Sequence, residues 1–128
     1  MLIDRELSEV VLGCFFDVYN ELGPGFLESV YENAMALALV ESGHDVRQQE
    51  ALKVWFRGQA VGDFRADLIV DSKLVVEIKA VSQLHTAHEV QLVNYLKASQ
   101  TQVGLLLNFG PRPQFKRRVL DPARSNPR

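Results

Sequence analysis

The sequence predicts a single α/β domain in which a mixed sheet carries helices on both sides, and three observations lead there. Two segments near the amino terminus repeat apolar residues every three or four positions, the pattern of helices with one buried face. The middle of the chain consists of short β-branched and aliphatic stretches separated by polar turns, which predicts an antiparallel meander. A helical stretch then leads into the apolar run Val103 to Asn108, and a strand after a helix crossover implies parallel pairing. With 128 residues, 47% of them hydrophobic, one compact core is expected and no second ordinary domain.

The elements follow in order. Residues 5 to 21 place Leu7, Val10, Val11, Cys14, Phe15 and Val18 on one helical side, with Leu22 just beyond and Asp4 in position to cap the start. Leu22-Gly23-Pro24-Gly25 ends that helix. A second helix is expected over 27 to 42, closed by Gly43, with Val30, Ala34, Leu37 and Ala38 as its packing face. Residues 45 to 57 read as a strand with Val46, Leu52, Val54 and Phe56 inward, followed by a turn at Arg57-Gly58-Gln59. Next comes a hairpin over 62 to 81, turning at Asp71-Ser72-Lys73. A helix starting at Leu84 or Thr86 runs to Ala98. The 103 to 108 strand then pairs parallel with the strand that holds Glu77, through a right-handed crossover. Gly110-Pro111-Arg112-Pro113 breaks the chain, 114 to 120 forms an edge strand, and 121 to 128 is expected to be a disordered basic tail after a domain of residues 1 to 120.

The hairpin is chemically odd. Asp67, Glu77 and Lys79 interrupt stretches that otherwise favour burial. If Val70 pairs with Leu74, Asp67 falls opposite Glu77, and direct partners share a face roughly 5 Å apart. Lys79, two residues on, projects from the same face. Two carboxylates that close repel unless a cation sits between them, and hard divalent cations take oxygen ligands. The carbonyl of Ile78 is a further candidate ligand, while its side chain turns to the core. A salt-bridged face of an amphipathic hairpin is the other reading of the same residues.

Composition excludes several classes. A net charge of −2 gives no global positive field, so contact with nucleic acid must come from a local patch. Six basic residues against one acidic between Arg112 and Arg128 offer one such patch, or a solvated tail. The single cysteine, Cys14, forms no disulfide within the chain and fits a reduced, cytoplasmic setting. No apolar run is long enough to span a membrane, and the first residues lack a secretory pattern. His85 and His88 lack the third ligand that a zinc site needs. No phosphate-binding loop, dinucleotide fingerprint or nucleophile motif is present.

The D…ExK pattern of Asp67, Glu77 and Lys79 resembles the PD-(D/E)XK nuclease superfamily. Gly25-Phe26-Leu27-Glu28-Ser29-Val30-Tyr31 spells the motif of its GxxExxY branch. FRADLIV, VEIKAV, HEVQLVNYLKAS and GLLLNFG extend the resemblance over residues 5 to 110. It implies a restriction-endonuclease-like fold and a Mg²⁺-dependent phosphodiesterase, with Mn²⁺ as a substitute, acting on nucleic acid, DNA before RNA. Asp67 and Glu77 would hold the metal, and Glu28 would join them directly or through water. Lys79 would be catalytic. Gln91 and Tyr95, spaced i, i+4, would position the substrate strand, and Tyr31 would orient Glu28 or a phosphate. Plainer readings stand beside these: Glu28 serving the helix N-terminus, Tyr31 packing in the core, Gln91 and Tyr95 belonging to an amphipathic helix. A catalytically silent binding or assembly module on the same fold is the functional alternative, and a homodimer or protein partner is compatible with either.

Overall fold

The computed structural model describes residues 4–120. The expected tail, 121 to 128, lies outside the described residues. The elements are α1 (Arg5–Leu22), α2 (Glu28–Glu41), β1 (Val46–Phe56), β2 (Gln59–Val70), β3 (Leu74–Lys79), α3 (Thr86–Ser99), β4 (Val103–Phe109) and β5 (Pro113–Val119). The five strands lie in chain order, antiparallel except for the parallel β3–β4 pair. A meander joined to a crossover therefore makes the mixed sheet that the sequence predicts.

Alternation divides the core into two layers. On one side α1 and α2 cover Leu68, Val70, Val76, Ile78, Leu105 and Leu107. On the other, Leu92, Tyr95 and Leu96 of α3 cover Ile69, Val75 and Leu106. A Cβ on Gly104 would fall 2.7 Å from Leu92 Cδ1, so the missing side chain lets α3 lie close against β4. β4 is buried at every position, as expected of a strand covered on both faces. Truncating a residue such as Leu105 in this layer should cost about 2–5 kcal/mol.

Several local expectations need correction. Asp4 sits in a left-handed conformation (φ 50°) and makes no side-chain cap to α1. The packing face of α2 is Tyr31, Met35, Ala36 and Leu39, whereas Val30 and Leu37 are exposed. That helix is apolar on nearly every side, so periodicity does not fix its rotation, and the large Tyr31 ring does. Phe56 is exposed because the tip of the β1–β2 hairpin projects beyond the helices, and Arg57 covers its ring instead. Among the described residues no helix is long and apolar enough to cross a membrane.

Candidate active site

The β2–β3 ladder runs Val70–Leu74, Ile69–Val75, Leu68–Val76, so the next residues in line are Asp67 and Glu77. There the strands part. The Asp67 N–H donates to Glu77 Oε1 at 3.1 Å, and the Ile78 N–H donates to Asp67 Oδ2 at 2.8 Å. Each carboxylate thus reaches across the fork to backbone of the other strand, where a further ladder bond would otherwise form. Backbone donors favour ionised carboxylates, but the surroundings of Glu77 oppose it. Glu77 is only 3% exposed. Burial first, then the charge of Asp67, pushes its carboxyl up to about 9, and the nearby Lys79 ammonium offsets this only in part.

The other side of the fork is held by a residue that sequence reasoning missed. Gln49 lies across from Asp67 on β1, but with φ 52° it leaves the ladder between the Gln48–Leu68 and Glu50–Ala66 pairs. Its amide donates to Asp67 Oδ1 at 3.0 Å and to Glu32 Oε1 of α2 at 2.7 Å. Gln48 in turn donates to Glu32 Oε2 and Asn33 Oδ1. Asp67 is therefore oriented from both neighbouring strands. A glutamine in a polar stretch of strand gives no local signal of this.

α3 closes over the pair. Gln91 donates to Tyr95 Oη at 3.0 Å, and Tyr95 lies close enough to the carboxylates that, after burial, the charges of Glu77 and Asp67 raise its pKa. At the start of this helix the His85 N–H donates to His88 Nδ1 at 3.1 Å, so the two histidines cap the helix. The His88 pKa is lowered, by burial and then by the Lys79 charge, with Glu28 pulling the other way. His88 thus stands within electrostatic reach of both residues, a proximity the sequence did not reveal.

Glu28 and Tyr31 behave differently from that group. Glu28 is exposed in the first turn of α2. Among the described residues no three His, Cys, Asp or Glu side chains form a preassembled metal-binding group. Tyr31 is fully buried and stacked on Phe109, and its hydroxyl donates to the Gly23 carbonyl and accepts the Phe26 N–H. Its geometry packs the core and fixes the loop before Glu28. The basic β5 residues are partly engaged within the fold: Arg118 pairs with Glu89, and Arg117 donates to Ser8 Oγ.

The candidate ligands at the fork are oxygens alone, with a buried carboxylate whose charge its neighbours offset only in part. That chemistry fits a hard divalent cation held by Asp67 and Glu77, with the Ile78 carbonyl and waters completing its shell. A cavity of about 680 Å³ lies at the opposite end of the hairpin, beside His44, Asp71 and Lys73. Its His44 and Asp71 pair with one another.

A family model described as the PD-(D/E)XK nuclease superfamily matches residues 5–119. The solved structure of SSO0001 superposes with a TM-score of 0.60 at 20% identity, covering 94% of this chain and 61% of that one. An alkaline exonuclease (LHK-Exo) from Laribacter hongkongensis superposes with a TM-score of 0.55 at 12% identity, covering 96% and 74%. The chain therefore spans about three-fifths of the SSO0001 chain. No curated protein matches it.

Proposed function

Because the chain belongs to the PD-(D/E)XK nuclease superfamily, we propose that it is a divalent-metal-dependent nuclease of the GxxExxY branch that hydrolyses phosphodiester bonds of DNA. The observation that carries this reading is the fork, where Asp67 and Glu77 exchange hydrogen bonds with each other's strands and Glu77 is buried against a second carboxylate. Such a pair destabilises the fold unless it serves a cation. Asp67 and Glu77 would hold Mg²⁺, or Mn²⁺ in its place, with the Ile78 carbonyl as a further candidate ligand and Glu28 joining directly or through water. When bound, the cation supplies Lewis-acid polarisation of the phosphate and neutralises its charge. Gln49 keeps Asp67 in its orientation. Lys79 orients the attacking water and stabilises the negative charge that builds on phosphorus-bound oxygens. Gln91 and Tyr95, joined by their hydrogen bond, position the substrate strand on the α3 side.

The test is cleavage of supercoiled plasmid and of single-stranded DNA with Mg²⁺, with Mn²⁺ and with EDTA. Metal-dependent cleavage by the wild type, absent from Glu77→Ala, supports the proposal. Equal cleavage by a clean Glu77→Ala preparation would sink it, and binding without cleavage would leave the chain a silent binding module.

A further inference from the structure

Three loops meet beyond the end of β3 and enclose a groove of about 410 Å³. Phe26, Val81, Phe109 and Pro111 are among its walls, and no ionisable side chain lines it. The groove begins one residue from Lys79, at Ala80, and two residues from Glu28, at Phe26.

Each wall is pinned by its own side-chain clamp. The buried Asn108 amide accepts the Val81 N–H and donates to the Val81 carbonyl, both at 2.9 Å. The Tyr19 hydroxyl lies 2.8 Å and 2.9 Å from the carbonyls of Gly110 and Pro111 and shares its one proton between them. The Tyr31 hydroxyl holds Gly23 and Phe26, as above. A Cβ on Gly110 would fall 2.0 Å from the Val81 carbonyl oxygen, so only glycine lets two of these walls approach. Loops fixed in this way hold a preformed shape, and a preformed site binds with less loss of conformational entropy.

What the clamps present is an aromatic face. Phe26 is 49% exposed, although its ring is held edge-on against Tyr31 with centroids 6.1 Å apart. An oriented, half-exposed phenylalanine beside an uncharged, mostly apolar groove suits a flat, uncharged, aromatic ligand. It does not suit a phosphate. Every nucleobase has such a face, and stacking on protein aromatics is how single strands are held without sequence preference. Within a duplex both faces of a base are covered by its neighbours, so the position suits a base of a single strand or at a strand end.

We propose that this groove is a nucleobase subsite, in which Phe26 stacks on an unpaired base next to the phosphate addressed from the fork. The substrate is accordingly single-stranded DNA or the frayed end of a duplex. This deepens the nuclease reading and rests on it for the identity of the ligand. Asn108, Tyr19 and Tyr31 are positioning residues that hold the groove open.

The experiment measures binding by fluorescence anisotropy to three probes: a single-stranded oligonucleotide, a fully abasic oligonucleotide of the same length, and a blunt duplex. It uses the full chain carrying Lys79→Ala, alone and combined with Phe26→Ala or Phe26→Trp. Phe26→Ala should weaken binding of the base-containing strand roughly five-fold or more, since one stacked base is worth about 1–3 kcal/mol. Binding of the abasic strand should be unchanged within two-fold, and Phe26→Trp should keep full affinity. An unchanged affinity in Phe26→Ala overturns the proposal, and so does an equal loss on both single strands, which marks a folding defect. Failure of every probe to bind overturns it too. Cleavage by the wild type is scored separately, so loss of the nuclease reading is recognised by absent hydrolysis while anisotropy still decides the groove.

Discussion

The two ends of the β2–β3 hairpin hold acids in opposite circumstances. At the turn, His44 Nδ1 lies 2.7 Å from Asp71 Oδ2, and the Asp45 N–H donates to Asp71 Oδ1 at 2.9 Å. The hydrogen bond from His44, more than any other contact, holds the Asp71 carboxyl below its usual range. At the fork, Glu77 is buried against Asp67 and is pushed up to about 9. One strand pair therefore supports a carboxylate at one end and disfavours one at the other. The turn end is arranged for folding. The fork end keeps an electrostatic penalty that a bound cation would relieve, and the proposed function rests on that difference.

The largest expected effect lies at Lys79. Lys79→Ala should lower the cleavage rate by about two orders of magnitude or more, as loss of a charge aimed at the transition state does. Its affinity for Mn²⁺, followed by titration, should stay within a few-fold. A similar loss of metal affinity would instead make Lys79 part of the fork's structure.

The next effect concerns stability and its sign. Because the folded-state pKa of Glu77 is raised, the folded protein binds a proton that the unfolded chain releases near pH 4.5. Its contribution is thus fully present below that pH and is lost as pH rises towards about 9. Glu77→Gln mimics the protonated group. In EDTA it should melt like the wild type at pH 4 and be more stable by at least about 1.4 kcal/mol at pH 8, the value of one pKa unit. Equal melting at pH 8 would show that the fork carries no such penalty.

A smaller change follows at Gln49. Gln49→Ala removes the amide that orients Asp67 and should weaken Mn²⁺ binding by about ten-fold, the lower range for a group supporting a metal ligand. The smallest effect is at the turn, with the opposite sign to that at Glu77. A lowered pKa means that Asp71 contributes stability above its ordinary value of 3.8 and loses it as pH falls through the folded-state value. Asp71→Asn should therefore cost less than about 1 kcal/mol at pH 7, partly screened by salt, and nothing in acid.

The fork was legible in the sequence because hairpin register is local. Once Val70 pairs with Leu74, period-two alternation carries Asp67 to the position opposite Glu77 without reference to any other element. Gln91 and Tyr95 were legible for the same reason, since helical spacing alone brings them together. What stayed hidden depends on contacts between distant segments or on backbone conformation. Gln49 matters through a positive φ and a bond to Glu32 of α2, and neither leaves a pattern in RQQE. Tyr31 was ambiguous because α2 is apolar almost all round, and its packing on Phe109 joins residues 78 positions apart. Asn108 carried a signal that was passed over: one amide closing an apolar run, buried, and therefore in need of partners.

The central claim is that Asp67 and Glu77 together bind a divalent cation. Thermal melting of the wild type and of Asp67→Asn at pH 8, each in EDTA and in several millimolar Mg²⁺ or Mn²⁺, tests it most directly. A ligand that binds only the folded state raises the melting temperature in proportion to its occupancy. The wild type should melt higher with metal than in EDTA. Asp67→Asn should gain stability in EDTA, by about 1 kcal/mol for each pKa unit by which the repulsion falls, and should respond little to metal. A wild type that melts at one temperature in both conditions, with Asp67→Asn simply less stable, would contradict the claim and leave these acids as structural groups.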